Sequence, residues 1–155
     1  MAQDLKQSML QEQLKIMDAA AAVLTESKER VEKVFASKKA VLDAGERESC
    51  EALTSRFARL CDFLFQRVFR TLDEIELQFE GTAIDRLNRM EKRGLITSAA
   101  LWRELRNLRN EIAHDYLIET SDDVLKQSLA QAPELLDTAA RVRQYVVAKG
   151  YSLQT

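Results

Sequence analysis

The only histidine of this 155-residue chain lies near the end of a run of helix-forming residues, LWRELRNLRNEIAHDY, from Leu101 to Tyr116. At 100° per residue, one narrow stripe of this predicted helix carries apolar side chains, Leu101, Leu105, Leu108 and Ile112. The opposite stripe is polar and holds Arg103, Asn107, Asn110 and His114. Arg109 and Tyr116 are seven residues apart, so they share one edge between the stripes, about 20° apart. An arginine, a histidine and a tyrosine therefore meet at one helix end.

These residue types suit cleavage of RNA through attack of its own 2′-hydroxyl. Imidazole has an unperturbed pKa of about 6.5, so His114 can take up and return a proton near neutral pH. The Arg109 guanidinium can bind the phosphate whose charge grows in the transition state, and no metal is required. Asn110, about 40° from His114 on the helix surface, could orient the imidazole or a phosphate. Because acid and base roles are both needed, we expect a symmetric dimer with two copies of Arg109 and His114 across one cleft.

Other chemistries fit the sequence less well. Glu111-x-x-His114 has the spacing found in di-iron helical bundles, but such a site needs two of these pairs and the chain has one histidine. The chain has no G-x-S-x-G nucleophile motif and no glycine-rich phosphate loop. We therefore expect neither a metal ion nor a cofactor.

The residues from Arg109 to Tyr116 read R-x4-H-x-Y, with a polar residue directly after the arginine. This pattern resembles the HEPN family of all-helical proteins, in particular the HEPN toxins whose antitoxin is a small MNT nucleotidyltransferase. The resemblance implies that Arg109 and His114 form a metal-independent endoribonuclease site in a homodimer, with Asn110 in support. It also implies that the antitoxin neutralises the toxin by attaching AMP to Tyr116.

Each of these residues also has an ordinary structural interpretation. His114 could cap or hydrogen bond near a helix C-terminus, where a positive charge is favourable. Arg109 could form a salt bridge, for example with Glu104 or Asp115, and Tyr116 could pack at the edge of the core. Two other functions therefore stay open: a non-catalytic substrate-binding subunit that presents Tyr116 or a groove to a nucleotidyltransferase, and a helical interaction scaffold.

Charge is distributed unevenly along the chain. The formal net charge of −2 argues against a protein that coats nucleic acid by bulk attraction. Seven Lys or Arg residues lie between Arg86 and Arg109, whereas seven acidic residues and one Lys lie between Glu111 and Asp137. This change of sign indicates either a phosphate-attracting surface beside an acidic surface for a protein partner, or ordinary solvated helix faces.

The composition favours one all-α domain over residues 1–155. The chain has four Gly, one Pro and 31% charged residues, with no run of alternating β-branched residues. Cys50 and Cys61 are eleven residues apart in one predicted helix, about 16 Å along its axis, which is too far for a disulfide. Unbridged thiols suit the cytoplasm. No apolar run approaches the roughly 20 residues of a membrane span, and the first residues do not form a secretory signal, so we expect a cytoplasmic protein with no membrane partner.

Hydrophobic periodicity and capping residues predict an up-and-down bundle of four long helices and one short helix. The predicted helices are Asp4 to Ala36, Arg47 to Phe79, a short helix from Thr82 to Gly94, the helix that carries His114, and Asp122 to Lys149. Gly81 is expected as the left-handed residue that ends the second helix, and Pro133 is expected to kink or restart the last helix. Phe65 and Phe69 form a second apolar line on the second helix, which predicts a helix buried on two sides.

Overall fold

A computed structural model of the chain describes residues 2–115, except for the side chain of residue 115, and residues 121–151. Every regular element in these ranges is helical, which confirms the all-α prediction. The elements are α1 (Ala2–Ala36), α2 (Ala44–Phe63), a π-helical segment (Leu64–Val68), α3 (Phe69–Ile75), α4 (Ala83–Lys92), α5 (Ala99–Asp115) and α6 (Asp122–Lys149). The segments α2, π-helix and α3 follow one another directly and form one long helix.

Capping side chains define most helix starts where the sequence predicts them. The Thr82 side chain accepts a hydrogen bond from the Asp85 N–H, and the Asp85 carboxylate bonds back to the Thr82 N–H at 2.7 Å. Ser98 Oγ accepts from the Leu101 N–H at 3.1 Å, and Ser121 caps α6. α2 begins at Ala44, three residues before the predicted Arg47, because Asp43 and Glu46 form a capping box there.

Two expectations about helix ends are wrong. The second long helix ends at Ile75, four residues before Phe79, because Leu77 adopts the left-handed conformation with φ of 57°. The Gln78 N–H then bonds to the Asp73 carbonyl at 2.8 Å, which closes the helix end as glycine usually does. Phe79 is consequently 55% exposed instead of buried, and Gly81 does not end the helix.

Pro133 does not restart the last helix. α6 runs as one helix from Asp122 to Lys149 with Pro133 inside it. Pro133 is exposed, so water can bond to the carbonyl that its missing N–H leaves free.

The buried apolar side chains form one cluster to which all the helices contribute. α1 packs on α2, α3 and α6, and α2 also packs on α5 and α6, so the second long helix is buried on two sides as predicted. Contacts between Asp62 and Arg109, Phe65 and Arg106, and Phe69 and Trp102 show that this helix and α5 run antiparallel. No described helix is both long and apolar enough to span a membrane.

Candidate functional site

α5 has the two faces that its periodicity predicts. Leu105 and Leu108 are buried, and Trp102 is buried with its indole N–H bonded to Thr138 Oγ1 of α6 at 3.1 Å. The opposite stripe is exposed: Arg103, Asn107, Asn110 and His114. Burial of one face fixes the rotation of α5 about its axis, so the exposed stripe has a defined direction.

Arg109 is held against α2 rather than within its own helix. Its Nε lies 2.6 Å from Asp62 Oδ1, and the two side chains are 35% and 41% exposed. This contact is an ion pair without hydrogen-bond geometry, so the Nε–H has no acceptor among the described residues. Nη1 donates to Asn110 Oδ1 at 3.3 Å. Asp62 and Asn110 thus hold the guanidinium at two of its nitrogens, and Nη2 donates to no residue that the structure describes.

His114 lies exposed on the last turn of α5. It forms no hydrogen bond or ion pair with any described residue. Tyr116, the predicted site of AMP addition, lies outside the described residues, as does the side chain of Asp115. An exposed imidazole near a helix end is accessible to a large substrate.

Arg109 and His114 do not face the same direction within one chain. They are five residues apart, which separates them by about 140° around the helix axis and about 7.5 Å along it. Arg109 points to α2 and His114 to solvent. Asn110 lies between them, in contact with Arg109 and one helical turn before His114. Within one chain the two side chains therefore do not converge on one point.

Arg106, one turn before Arg109 on α5, stacks on an aromatic ring, which the sequence did not predict. The guanidinium carbon of Arg106 lies 3.7 Å from the ring centroid of Phe65, and that of Arg86 lies 5.3 Å from the same centroid. Arg106 is half-buried, and this burial lowers the pKa of its guanidinium. Arg106 and Arg109 are three residues apart, as are Phe65 and Asp62. Arg106 meets Phe65 and Arg109 meets Asp62 because the two helices run antiparallel.

The first part of the basic stretch is not a free surface. Asp73 is fully buried and accepts hydrogen bonds from Arg86 Nε at 3.2 Å, Arg89 Nη2 at 2.8 Å and Arg93 Nη1 at 2.7 Å. Three of the seven basic residues between Arg86 and Arg109 are thus turned towards one carboxylate. The other four basic residues of this stretch are Lys92 of α4 and the three arginines of α5.

Another cleft lies at the other end of the bundle. It has a volume of about 840 Å³ and is lined in part by Glu76, Arg93, Tyr145 and Lys149. The Tyr145 hydroxyl donates to Glu76 Oε2 at 2.6 Å, and burial together with this carboxylate raises the pKa of Tyr145. His114 is about 20 Å beyond the start of α5, so this cleft is separate from the predicted site.

Both cysteines are free and buried, as predicted. Burial raises the pKa of the Cys61 thiol to about 12. Within the described ranges, no three His, Cys, Asp or Glu side chains are grouped so that they could hold a metal ion.

Comparison of the chain with known protein families, with curated proteins and with solved structures found no match.

Proposed function

We propose that this chain is a HEPN-like, metal-independent endoribonuclease that acts as a homodimer and is the toxin of a HEPN/MNT toxin–antitoxin pair. One observation carries the proposal: the sole histidine is exposed, and Arg109, which precedes it on α5, is held by Asn110 and Asp62. The R-x4-H-x-Y sequence supplies the resemblance on which the family assignment rests.

The proposed reaction needs only proton transfer and charge stabilisation. His114 of one protomer removes the proton of a 2′-hydroxyl, whose oxygen attacks the adjacent phosphorus. The bond from phosphorus to the 5′-oxygen breaks, and the protonated His114 of the partner subunit returns a proton to that oxygen. Arg109 binds the phosphate oxygens through its guanidinium N–H groups as the charge on these oxygens grows. The products are a 2′,3′-cyclic phosphate and a 5′-hydroxyl.

The divergence of Arg109 and His114 is the physical reason for a dimer. A two-fold axis near the C-terminal end of α5 would bring the arginine of one chain towards the histidine of the other. The single cleft on this axis would then contain two imidazoles, one for each proton-transfer role. A single exposed imidazole on one chain lacks the second group.

The shared cleft predicts that an inactive protomer lowers the activity of its partner. When equal amounts of wild-type and His114→Ala chains exchange subunits, the activity per wild-type chain should fall to roughly half, because heterodimers lack one imidazole. The rate of RNA cleavage measured after mixing tests this expectation. Asn107→Ala, on the same exposed stripe, is the matched control and should leave the activity of the mixture unchanged. Full activity from a protein that sediments as a monomer would rule out the shared cleft.

Silencing by AMP is the second part of the proposal, and it concerns Tyr116. An MNT-type nucleotidyltransferase with Mg²⁺ and ATP would transfer AMP to the Tyr116 hydroxyl and release pyrophosphate. The added phosphate carries negative charge, so it would compete with RNA for the Arg109 guanidinium. An adenine ring would also obstruct the cleft.

Intact-mass measurement after co-expression with the nucleotidyltransferase tests this silencing. The wild-type chain should gain one or more adenylate units and lose RNA cleavage, whereas Tyr116→Phe should gain none and keep cleaving RNA. Tyr145→Phe is the matched control, since that tyrosine lies in the distant cleft, and it should be modified like the wild type. Adenylate on another residue, or a modified chain that cleaves RNA at the full rate, would contradict the silencing mechanism.

A second candidate function follows from the ion pair of Arg109 with Asp62. Because the guanidinium already has a carboxylate partner, the chain could instead serve as a non-catalytic subunit that presents Tyr116 to a nucleotidyltransferase. This alternative predicts adenylate addition to Tyr116 without any RNA cleavage by the unmodified chain, so the same two measurements distinguish the two functions.

A further inference from the structure

Arg106 differs from the other arginines around it, because it is stacked but not paired. Arg86, Arg89 and Arg93 share the Asp73 carboxylate, and Arg109 contacts Asp62. Arg106 forms no hydrogen bond or ion pair with any residue that the structure describes. None of its N–H donors is therefore used by the part of the chain that the structure describes.

The Phe65 ring fixes the guanidinium without using its donors. A distance of 3.7 Å from the guanidinium carbon to the ring centroid is van der Waals contact, at which the cation interacts favourably with the ring face. The N–H groups of a stacked guanidinium lie in its own plane and point away from the ring. Phe65 is itself buried between α5 and the second long helix, so the platform is rigid.

The positive charge of Arg106 is only partly compensated by its surroundings. Burial is the main cause of its lowered pKa, and Arg86 and Arg109 add to this effect, whereas the nearby Asp62 carboxylate opposes it. Partial burial removes water that would otherwise stabilise the guanidinium. A bound phosphate would replace that lost solvation with charge-assisted hydrogen bonds.

We propose that Arg106, held on the Phe65 ring, binds the RNA phosphate adjacent to the one that Arg109 binds. Arg106 and Arg109 are one turn apart on α5, about 4.5 Å along the axis, so their long side chains reach neighbouring points on one strand. The inference rests on the proposed ribonuclease function, because it assigns the polynucleotide strand as the ligand. In this proposal Arg106 is a substrate-binding residue, and the RNA-binding site extends from His114 along α5 towards Phe65.

Binding of a short fluorescent 2′-O-methyl RNA tests the proposal, because this RNA lacks the attacking hydroxyl and is not cut. Anisotropy is measured over a series of KCl concentrations for the full-length protein. Arg106→Gln should weaken binding about tenfold and reduce the slope of log affinity against log salt by about 0.7, the contribution of one phosphate contact on a single strand. Arg106→Lys keeps the charge, so it should keep the slope and weaken binding less.

Arg143→Gln is the matched control for the loss of one positive charge. Arg143 lies exposed on α6 and pairs with Asp18, so this substitution should leave RNA affinity within about twofold of the wild type. Thermal unfolding of each variant separates lost binding from lost folding. Equal affinities and salt slopes for Arg106→Gln and Arg143→Gln would overturn the proposal.

Two further measurements separate this inference from the ribonuclease function and from a site for free phosphate. If Arg106→Gln weakens RNA binding but the wild type does not cut unmodified RNA, the phosphate contact of Arg106 is supported and the ribonuclease function is contradicted. If the wild type cuts RNA and Arg106→Gln binds RNA with wild-type affinity, the ribonuclease function is supported and the phosphate contact of Arg106 is contradicted. Stabilisation by inorganic phosphate that is lost in Arg106→Gln, with RNA binding unchanged, would assign Arg106 to a free anion and overturn the proposal.

Discussion

Replacement of His114 by alanine should reduce RNA cleavage by about 10²- to 10⁴-fold, the usual contribution of a general acid–base group. The melting temperature should stay close to that of the wild type, because His114 is exposed and has no partner among the described residues. Initial rates on a labelled RNA together with thermal unfolding measure both quantities. Asn107→Ala, on the same stripe of α5, should change neither.

Substitutions at Arg109 and at its partner Asp62 separate the effect of Arg109 on RNA cleavage from its effect on stability. Arg109→Ala should remove activity and also cost up to about 1 kcal/mol of stability, since its half-exposed ion pair with Asp62 is lost. Asp62→Asn removes the same ion pair but keeps the guanidinium, so it should lose similar stability and keep most of the activity. If Asp62→Asn and Arg109→Ala were equally inactive, or if His114→Ala retained full activity, the assigned roles would be wrong.

Replacement of Asp73 by asparagine should destabilise the fold by about 3 to 5 kcal/mol, as expected when one partner of a buried ionic cluster is removed. The carboxylate is fully buried and is the common acceptor for three arginines of α4 and its C-cap. Asparagine has almost the same shape, so the loss would arise from charge and hydrogen bonding rather than from packing. Chemical denaturation with urea gives the free energy of unfolding for each variant.

Asp137→Asn provides the matched control for the buried cluster. Asp137 pairs with Arg141 at 2.7 Å on the surface, and its side chain is 46% exposed, so its loss should cost less than about 1 kcal/mol. Equal effects of Asp73→Asn and Asp137→Asn would show that the buried carboxylate contributes no more than a surface ion pair.

Features that depend on neighbouring residues were predictable from the sequence. The caps at Thr82 and Ser121 and the exposed stripe that contains His114 follow from side chains within one or two turns. The core positions of α1 and α6 follow in the same way, because helical periodicity alone decides which residues face the interior.

Features that depend on tertiary contacts were not predictable. Asp73 looks like a surface residue in its own helix, and its three arginines lie 13 to 20 positions later in the chain. The end of α3 depends on Leu77 in a conformation that usually selects glycine, so the sequence pointed to Gly81 instead. The π-helical turn from Leu64 to Val68 likewise has no local sequence signal.

The candidate site shows the same division. The type and spacing of Arg109, Asn110 and His114 are evident in the sequence, as is the exposure of the histidine. The ion pair with Asp62 and the stacking of Arg106 on Phe65 arise only when α5 packs antiparallel to the second long helix. Charge counts along the chain therefore overestimated the free basic surface, because they could not identify which arginines are paired.

The central claim is tested most directly by the ends of the RNA fragments that the purified protein produces in excess EDTA. The proposed chemistry predicts fragments with a 2′,3′-cyclic phosphate and a 5′-hydroxyl, at a rate unaffected by EDTA, and no fragments from the Arg109→Ala/His114→Ala double variant. RNA with 2′-O-methyl groups should resist cleavage, because the attacking hydroxyl is blocked. Fragments with a 5′-phosphate, a requirement for a divalent metal, or undiminished cleavage by the double variant would contradict the claim.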